Sequence, residues 1–92
     1  MGKLSDNERK VITERIRGLR LEHMDAGIST QSMVICYNCR KVKLLVGAAR
    51  YGPCRLCSGC ALGYELAKAV GDIESIEDFI LAEARIRANH QE

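Results

Sequence analysis

The sequence predicts one small α+β domain that a bound metal stabilises, with a helix at each end. Three observations predict it: apolar residues recur with a helical period near both ends, the runs between them are short and rich in β-branched residues, and five cysteines occur in Cys-x-x-Cys pairs. A chain of 92 residues with 4% aromatic residues has little material for a hydrophobic core. Small domains of this kind commonly depend on a metal or on disulfides. We therefore treat residues 1–92 as a single domain.

The first element is an amphipathic helix predicted over residues 6–25. Ser5 followed by Glu8 forms a capping-box pattern at its start, and Gly27 is a typical stop. The apolar residues form two sides, with Ile12, Ile16 and Leu19 on one and Val11, Leu21 and Met24 on the other. One side can pack inward while the other binds a protein partner or a second copy of the chain.

Two strands are predicted in the middle of the chain. Residues 33–35 and 42–46 are short runs rich in β-branched residues, which is typical of strands. Glycine and proline residues within 47–53 indicate turns and a loop. This region therefore predicts a single hairpin followed by a connection.

Two further helices are predicted after the strands. The first begins near Cys57 and ends before Gly71. The second, over residues 72–88, is capped by Asp72 or Ser75 and has Ile and Phe side chains for packing.

The cysteine spacing predicts a metal site. Cys36 and Cys39 form one Cys-x-x-Cys pair, and Cys54, Cys57 and Cys60 form two overlapping pairs. In a chain without secretory features, such pairs favour metal binding over disulfides. Two pairs supply four thiolates, which are the ligands of a closed, tetrahedral zinc site. We therefore expect one structural Zn²⁺, with disulfide, redox and iron–sulfur chemistry as the alternatives.

The choice of the four ligands depends on where the second helix begins. If it begins near Cys57, then Cys57 and Cys60 lie in its first turn, where unpaired N–H groups and the helix dipole stabilise thiolates. We therefore predict Cys36, Cys39, Cys57 and Cys60 as ligands. Cys54 is then a small packed residue, although the spacing also allows it to replace Cys60.

The residues around the cysteines also match a known pattern. Cys36-Tyr-Asn-Cys39, a gap of 17 residues and Cys57-Ser-Gly-Cys60-Ala-Leu-Gly-Tyr-Glu-Leu66 follow one another as a knuckle, a hairpin and a helix. This arrangement describes a treble clef and resembles the GATA-type zinc finger, whose pattern is C-x-N-C, a gap of similar length, then C-N-A-C-G-L-Y-x-K-L. Asn38, Leu62 and Leu66 match that pattern besides the cysteines. The resemblance is limited to residues 36–66 and implies a treble clef over 33–70 and a DNA-binding surface.

The chain departs from that family where the family contacts DNA. It contains no Trp, Glu65 stands where the family has Lys, and acidic residues replace the basic tail after the helix. Phosphate binding needs positive charge. The resemblance therefore supports the fold more strongly than sequence-specific reading of the major groove.

The charges separate along the chain. Residues 26–64 contain no Asp or Glu, whereas 65–92 contain seven acidic residues and three basic ones. The basic residues of the central segment are Arg40, Lys41, Lys43, Arg50 and Arg55. A nucleic-acid-associated regulator would contact phosphates with these side chains, and Arg15, Arg17 and Arg20 would extend the surface. The alternative is that these side chains only form the solvated faces of a small domain and bind no partner. The three tyrosines are scattered along the chain, so no platform for stacked bases is expected.

A second hypothesis is a protein adaptor or inhibitor, in which zinc fixes a small platform. The flanking helices would then bind a component of the transcription machinery or another enzyme. An enzyme is not expected, because residues 26–64 contain no His, Asp or Glu to act as a base or to hold magnesium. His23 and His90 lie in or near the terminal helices, where we expect surface or partly packed side chains.

The chain shows no sign of a membrane or secretory segment. No apolar run approaches the roughly 18–20 residues that span a bilayer, and no signal-peptide pattern is present. We therefore expect a cytoplasmic protein without a membrane partner.

Overall fold

The computed structural model describes residues 4–90, apart from the side chains of Arg87, Asn89 and His90, so the expectation for the His90 side chain lies outside it. The elements are α1 (Asp6–Asp25), β1 (Met33–Ile35), β2 (Val42–Leu44), β3 (Ala49–Tyr51), β4 (Cys54–Leu56), α2 (Ser58–Ala69) and α3 (Ile76–His90). Strands β1 and β2 form one antiparallel sheet, and β3 and β4 form another. The α+β class is therefore confirmed. Among the described helices, none combines the length and apolarity needed to cross a membrane.

Helix α1 has the predicted bounds because its signals are local. The Ser5 hydroxyl accepts a hydrogen bond from the Glu8 N–H, and the Glu8 carboxylate accepts one from the Ser5 N–H, both at 3.1 Å. The helix ends at Asp25, and Gly27 follows with a φ of +87° that favours glycine. Ile16 is buried in the core and Leu19 packs against it, so of the two apolar sides the one with Ile12, Ile16 and Leu19 faces inward.

The first hairpin agrees with the prediction except in the length of β2. Residues 33–35 pair with 42–44, and the predicted extension of the second strand to residue 46 is wrong. The chain turns there, because the N–H of Ala48 donates to the carbonyl of Leu45 and Gly47 adopts a φ of +89°. Val46 and Ala48 are buried beyond the end of the strand.

The second hairpin, β3–β4, differs from the sequence prediction of turns and a loop over residues 47–53. Tyr51 pairs with Cys54, so Gly52 and Pro53 form a two-residue turn between the strands. Gly52 has a φ of +61° and takes the position that glycine favours in hairpin turns of this length. Strands of three residues are too short to show an alternating pattern, so the sequence signal is only that of the turn.

The later helices begin slightly after their predicted starts. Cys57 is the N-cap of α2 and precedes its first residue, Ser58. The hydroxyl of Ser75 accepts a hydrogen bond from the N–H of Asp78 at 3.2 Å, which decides between the two predicted caps of α3. Helix α3 continues to residue 90, beyond the predicted end at 88.

The core is centred on an aromatic cluster next to the cysteines. The rings of Tyr51 and Tyr64 meet edge to face with centroids 4.7 Å apart, and Tyr64 meets Phe79 in the same way at 5.6 Å. Leu56 and Ala61 are fully buried beside them. The description of the tyrosines as scattered is therefore wrong for Tyr51 and Tyr64. Tyr64 is buried, however, so this cluster packs the core and offers no surface for stacked bases.

Candidate functional site

Four cysteines meet between the first hairpin and the start of α2. The sulfur atoms of Cys36, Cys39, Cys57 and Cys60 all lie within 4.8 Å of one another. Tetrahedral coordination with Zn–S bonds near 2.3 Å requires sulfur atoms about 3.8 Å apart, so a small contraction would close the shell around one ion. These are the four residues predicted as ligands. The cluster is positioned to bind one metal ion, as expected for a structural zinc site.

Cys54 lies outside this group, although its spacing allowed it to replace Cys60. It is buried in β4, where it pairs with Tyr51 across the second hairpin. The four-sulfur group includes Cys60 and excludes Cys54. Cys54 therefore takes the predicted role of a small packed side chain.

Backbone N–H groups point at the sulfur of Cys36. The N–H of Cys57 donates to it at 3.3 Å and that of Cys39 at 3.4 Å. Burial raises the pKa of Cys36, but N–H donors from Cys57, Cys39 and Asn38 outweigh burial and lower that pKa to about 6. Such donors stabilise a thiolate, which is the form that binds a metal.

Burial and the Cys36 sulfur disfavour ionisation of the neighbouring thiols. Burial raises the pKa of Cys57 above its ordinary value, and the Cys36 sulfur adds to that rise. Burial also raises the pKa of Cys60 to about 12, although the side chain of Asn38 acts in the opposite direction. Four thiolates within one cavity repel one another strongly. A divalent cation removes this repulsion, so the donor set fits a metal of the zinc class.

Asn38 links the cluster to α3. Its side-chain amide donates to the sulfur of Cys60 at 3.4 Å and to the carboxylate of Glu83 at 3.5 Å. The side chain is almost fully buried, and its carbonyl oxygen has no partner among the described residues. In the sequence, Asn38 stands out only as part of the resemblance, which predicts no role for it. The position between two cysteines of a knuckle was the available signal.

Glu65 joins three elements at the side of the core. Its carboxylate accepts a hydrogen bond from Arg15 of α1 at 2.8 Å and one from the hydroxyl of Tyr51 in β3 at 2.6 Å. Burial raises the pKa of Tyr51 well above its usual range, and the Glu65 carboxylate raises it further. Glu65 therefore has a structural role here. Arg15, predicted to extend a basic surface, is engaged in this ion pair.

A cationic cleft lies beside the start of α2. Arg17 and Arg20 of α1 and Lys43 of β2 line a space of about 610 Å³. Ser58 and Gly59 of α2 also border it. No acidic side chain lines this cleft within the part of the chain that the structure describes. The tertiary fold thus brings two arginines of α1 next to one of the five predicted basic residues.

The remaining basic residues lie elsewhere. Arg50 and Arg55 are paired across the second hairpin and line a smaller space of about 320 Å³. The guanidinium of Arg40 lies 4.7 Å from the centroid of the Tyr37 ring at the end of the first hairpin, and Lys41 follows it, exposed. The structure therefore divides the five predicted cations among two clefts and a knuckle.

His23 holds the connection between the two hairpins. Its Nδ1 accepts a hydrogen bond from the N–H of Gly47 at 3.0 Å. The imidazole is half-buried, as expected for a partly packed side chain. It is not part of the cysteine cluster.

Comparison of the chain with family models, curated proteins and solved structures returns no match. The resemblance of residues 36–66 to the GATA-type finger therefore stays a prediction based on those residues.

Proposed function

We propose that this chain is a small zinc-binding regulatory protein in transcription or nucleic-acid metabolism, and that it binds nucleic acid through basic side chains beside its hairpins. The observation that supports this function best is the cleft lined by Arg17, Arg20 and Lys43. Three cations from two elements border one space that has no acidic group among its described lining residues. Phosphates are the ligands that such an arrangement attracts.

Zinc is the metal that we propose for the cysteine cluster, and its role is structural. Four thiolates complete a tetrahedral shell and leave no position for a substrate. The proposal accordingly assigns no catalytic role to the chain. Cys36 and Cys39 stand at the end of the first hairpin, the second hairpin follows, and Cys57 and Cys60 stand at the start of α2. This order supports a treble clef similar to that of the GATA-type finger.

The charge distribution supports binding on the hairpin side of the molecule. The first turn of α3 carries Glu77 and Asp78, which would repel a phosphate backbone. Glu65, which replaces a lysine of the GATA pattern, is engaged with Arg15 and Tyr51. We therefore propose backbone contacts through α1 and the hairpins, without insertion of α2 into the major groove.

The salt dependence of binding tests this function. Zinc-loaded protein is titrated into random duplex DNA and into RNA between low and physiological salt. Each phosphate contact contributes about 0.9 to the slope of log K against log salt concentration. A triple change, Arg17→Gln with Arg20→Gln and Lys43→Gln, should therefore lower that slope by up to about 3.

Lys10→Gln provides the matched control, because Lys10 is an exposed cation of α1 that lies outside the cleft. It should change the slope little. Zinc content is measured for every variant, since loss of the metal would also abolish binding. Absence of binding at low salt, or equal effects of the triple and control variants, would overturn the proposal.

A protein adaptor is the second candidate, and the outer side of α1 favours it. Val11, Leu21 and Met24 are exposed there, with Leu21 66% exposed. A component of the transcription machinery would bind this side. Pull-down of polymerase subunits by the zinc-loaded protein, and their loss with Leu21→Glu, would support the adaptor function. Retention of the same subunits by Leu21→Glu would contradict it.

A further inference from the structure

One face of the β1–β2 hairpin is apolar and exposed. The register places Met33 opposite Leu44 and Ile35 opposite Val42. Opposed residues of an antiparallel pair share a face, and so do residues two apart on one strand. These four side chains therefore form one continuous surface, which we call the hairpin face. Their exposed fractions are 53%, 41%, 63% and 59% in the order named.

The hydrogen bonding of the hairpin explains why these side chains are close together. The N–H of Cys36 donates to the carbonyl of Lys41, and the N–H of Leu45 donates to the carbonyl of Ser32. Hydrogen-bonded and non-hydrogen-bonded pairs alternate along an antiparallel sheet. Because Cys36–Lys41 and Ser32–Leu45 are hydrogen-bonded pairs, Met33–Leu44 and Ile35–Val42 are non-hydrogen-bonded pairs. Side chains approach each other most closely in such pairs. The hairpin face is thus a packed aliphatic layer without a covering layer among the described residues.

The charges of this hairpin lie away from its apolar face. Lys43 is opposite Val34, on the other side of the pleat; it lines the cationic cleft, which Leu44 of the hairpin face also borders. Lys41 is opposite Cys36 and therefore also falls on that side. Tyr37 follows β1 in the turn of the hairpin, where it is 43% exposed and has the guanidinium of Arg40 against its ring. Nothing on the hairpin face selects an acidic or a basic partner.

We propose that the hairpin face binds the same face of a second copy, and that the chain forms a two-fold symmetric dimer. An uncharged aliphatic layer is complementary to itself, which is the requirement of a two-fold interface. A two-fold axis perpendicular to the strands places the two Arg40 side chains at opposite ends of the interface. The two Lys43 side chains point outward. The formal net charge of +2 per chain adds little repulsion.

The available area agrees with a weak but specific dimer. A fully exposed large side chain presents roughly 150–200 Å², so the hairpin face together with Tyr37 presents about 400–500 Å² per copy. Complete burial of this surface in both copies would remove about twice that area from water, so an interface of roughly 1,000 Å² also needs contacts from residues around the hairpin face. We therefore expect a dimer that dissociates on dilution.

The outer side of α1 offers less contiguous surface. Val11 and Leu21 are ten residues apart, which corresponds to about 15 Å along a helix. Only Leu21 and Met24 stand within one turn of each other. The structure therefore favours the hairpin over the N-terminal helix as the surface that binds a second copy.

Sedimentation equilibrium of the zinc-loaded protein between about 5 and 200 μM tests the proposal without nucleic acid. We expect a monomer–dimer equilibrium within this range. Ile35→Lys would place a charge in the interface, so it should raise the dissociation constant at least about tenfold. Val42→Thr keeps a β-branched residue in the strand and should raise it by a smaller factor. The matched control is Leu21→Lys on α1, which should leave it unchanged.

The variants must retain one metal per chain and the far-UV circular dichroism of the parent, and Val42→Thr decides if Ile35→Lys does not fold. A monomer throughout the range would overturn the proposal. A dimer that Leu21→Lys disrupts, or that the hairpin variants leave intact, would overturn it too. Because no nucleic acid is present, this result is independent of the proposed function: a dimer without nucleic-acid binding would refute only the latter.

Discussion

Replacement of a cysteine in the cluster tests the ligand assignment most directly. Cys39→Ser removes one of four sulfur ligands. Structural zinc sites contribute about 10–16 kcal/mol of apparent binding free energy, so an equal division assigns about 2.5–4 kcal/mol to each ligand. We therefore expect zinc affinity to fall by about 10²- to 10³-fold.

Cys54→Ser is the matched control, because Cys54 is a buried cysteine outside the cluster. The change introduces a buried hydroxyl and should cost about 1–3 kcal/mol of folding stability. It should leave one metal per chain. Competition with a chromophoric chelator measures the affinity, and metal analysis after gel filtration measures the stoichiometry.

The same variants should differ in structure as well as in metal content. Cys39→Ser should unfold much of residues 33–70, because hairpins of three-residue strands have too few contacts to be stable alone. Amide exchange should lose its protection in these residues. Equal zinc loss in Cys39→Ser and Cys54→Ser would refute the assignment of the four ligands.

Three further predictions concern side chains around the cluster and the core. Asn38→Ala removes the N–H donor to the Cys60 sulfur. It should lower the free energy of unfolding by about 1–3 kcal/mol. An unchanged thermal midpoint would contradict this role. Glu65→Gln breaks an ion pair whose Arg15 partner is 62% exposed. Urea denaturation should therefore show a loss of only about 1 kcal/mol in the free energy of unfolding. A loss above ~3 kcal/mol would refute this expectation. Because the folded state raises the pKa of Tyr51, its contribution to stability is complete below pH ~10 and lost as the pH rises further. Tyr51→Phe should remove that part of the alkaline slope, and an unchanged slope in alkaline denaturation would refute the assignment.

The features that could be predicted are those with local causes. Helix α1 was predicted with its observed bounds, because a capping box and a helical period are properties of neighbouring residues. The four clustered cysteines were predicted from their spacing and from the expected start of α2. Cys57, the N-cap of α2, and Cys60 in its first turn are three residues apart, so a helix that begins there places them on the same side. Formation of the cluster therefore required only that the segment of Cys36 and Cys39 contact the start of α2.

The features that were missed depend on contacts between distant segments. The β3–β4 hairpin has strands of three residues, and its burial comes from α2 and the aromatic cluster rather than from an alternating pattern. Asn38 had no recognisable role until α3 brought Glu83 to its amide. The five cations of the central segment are close together in the sequence and were predicted to form one surface. In the fold, Arg50 and Arg55 line a different cleft from Lys43.

The sequence by itself determined the class of the fold, the ends of α1 and the four sulfur ligands that could share one ion. The ends of α1 and the Cys-x-x-Cys pairs follow from periodicity and spacing between neighbouring residues, and the order of such local elements indicates the class. Only the tertiary structure decided that Arg17 and Arg20 join Lys43, that Glu65 ties α1 to β3, and that one hairpin face stays uncovered. Those outcomes depend on how separate elements pack, and packing is set by the shape and burial of side chains that are far apart in sequence.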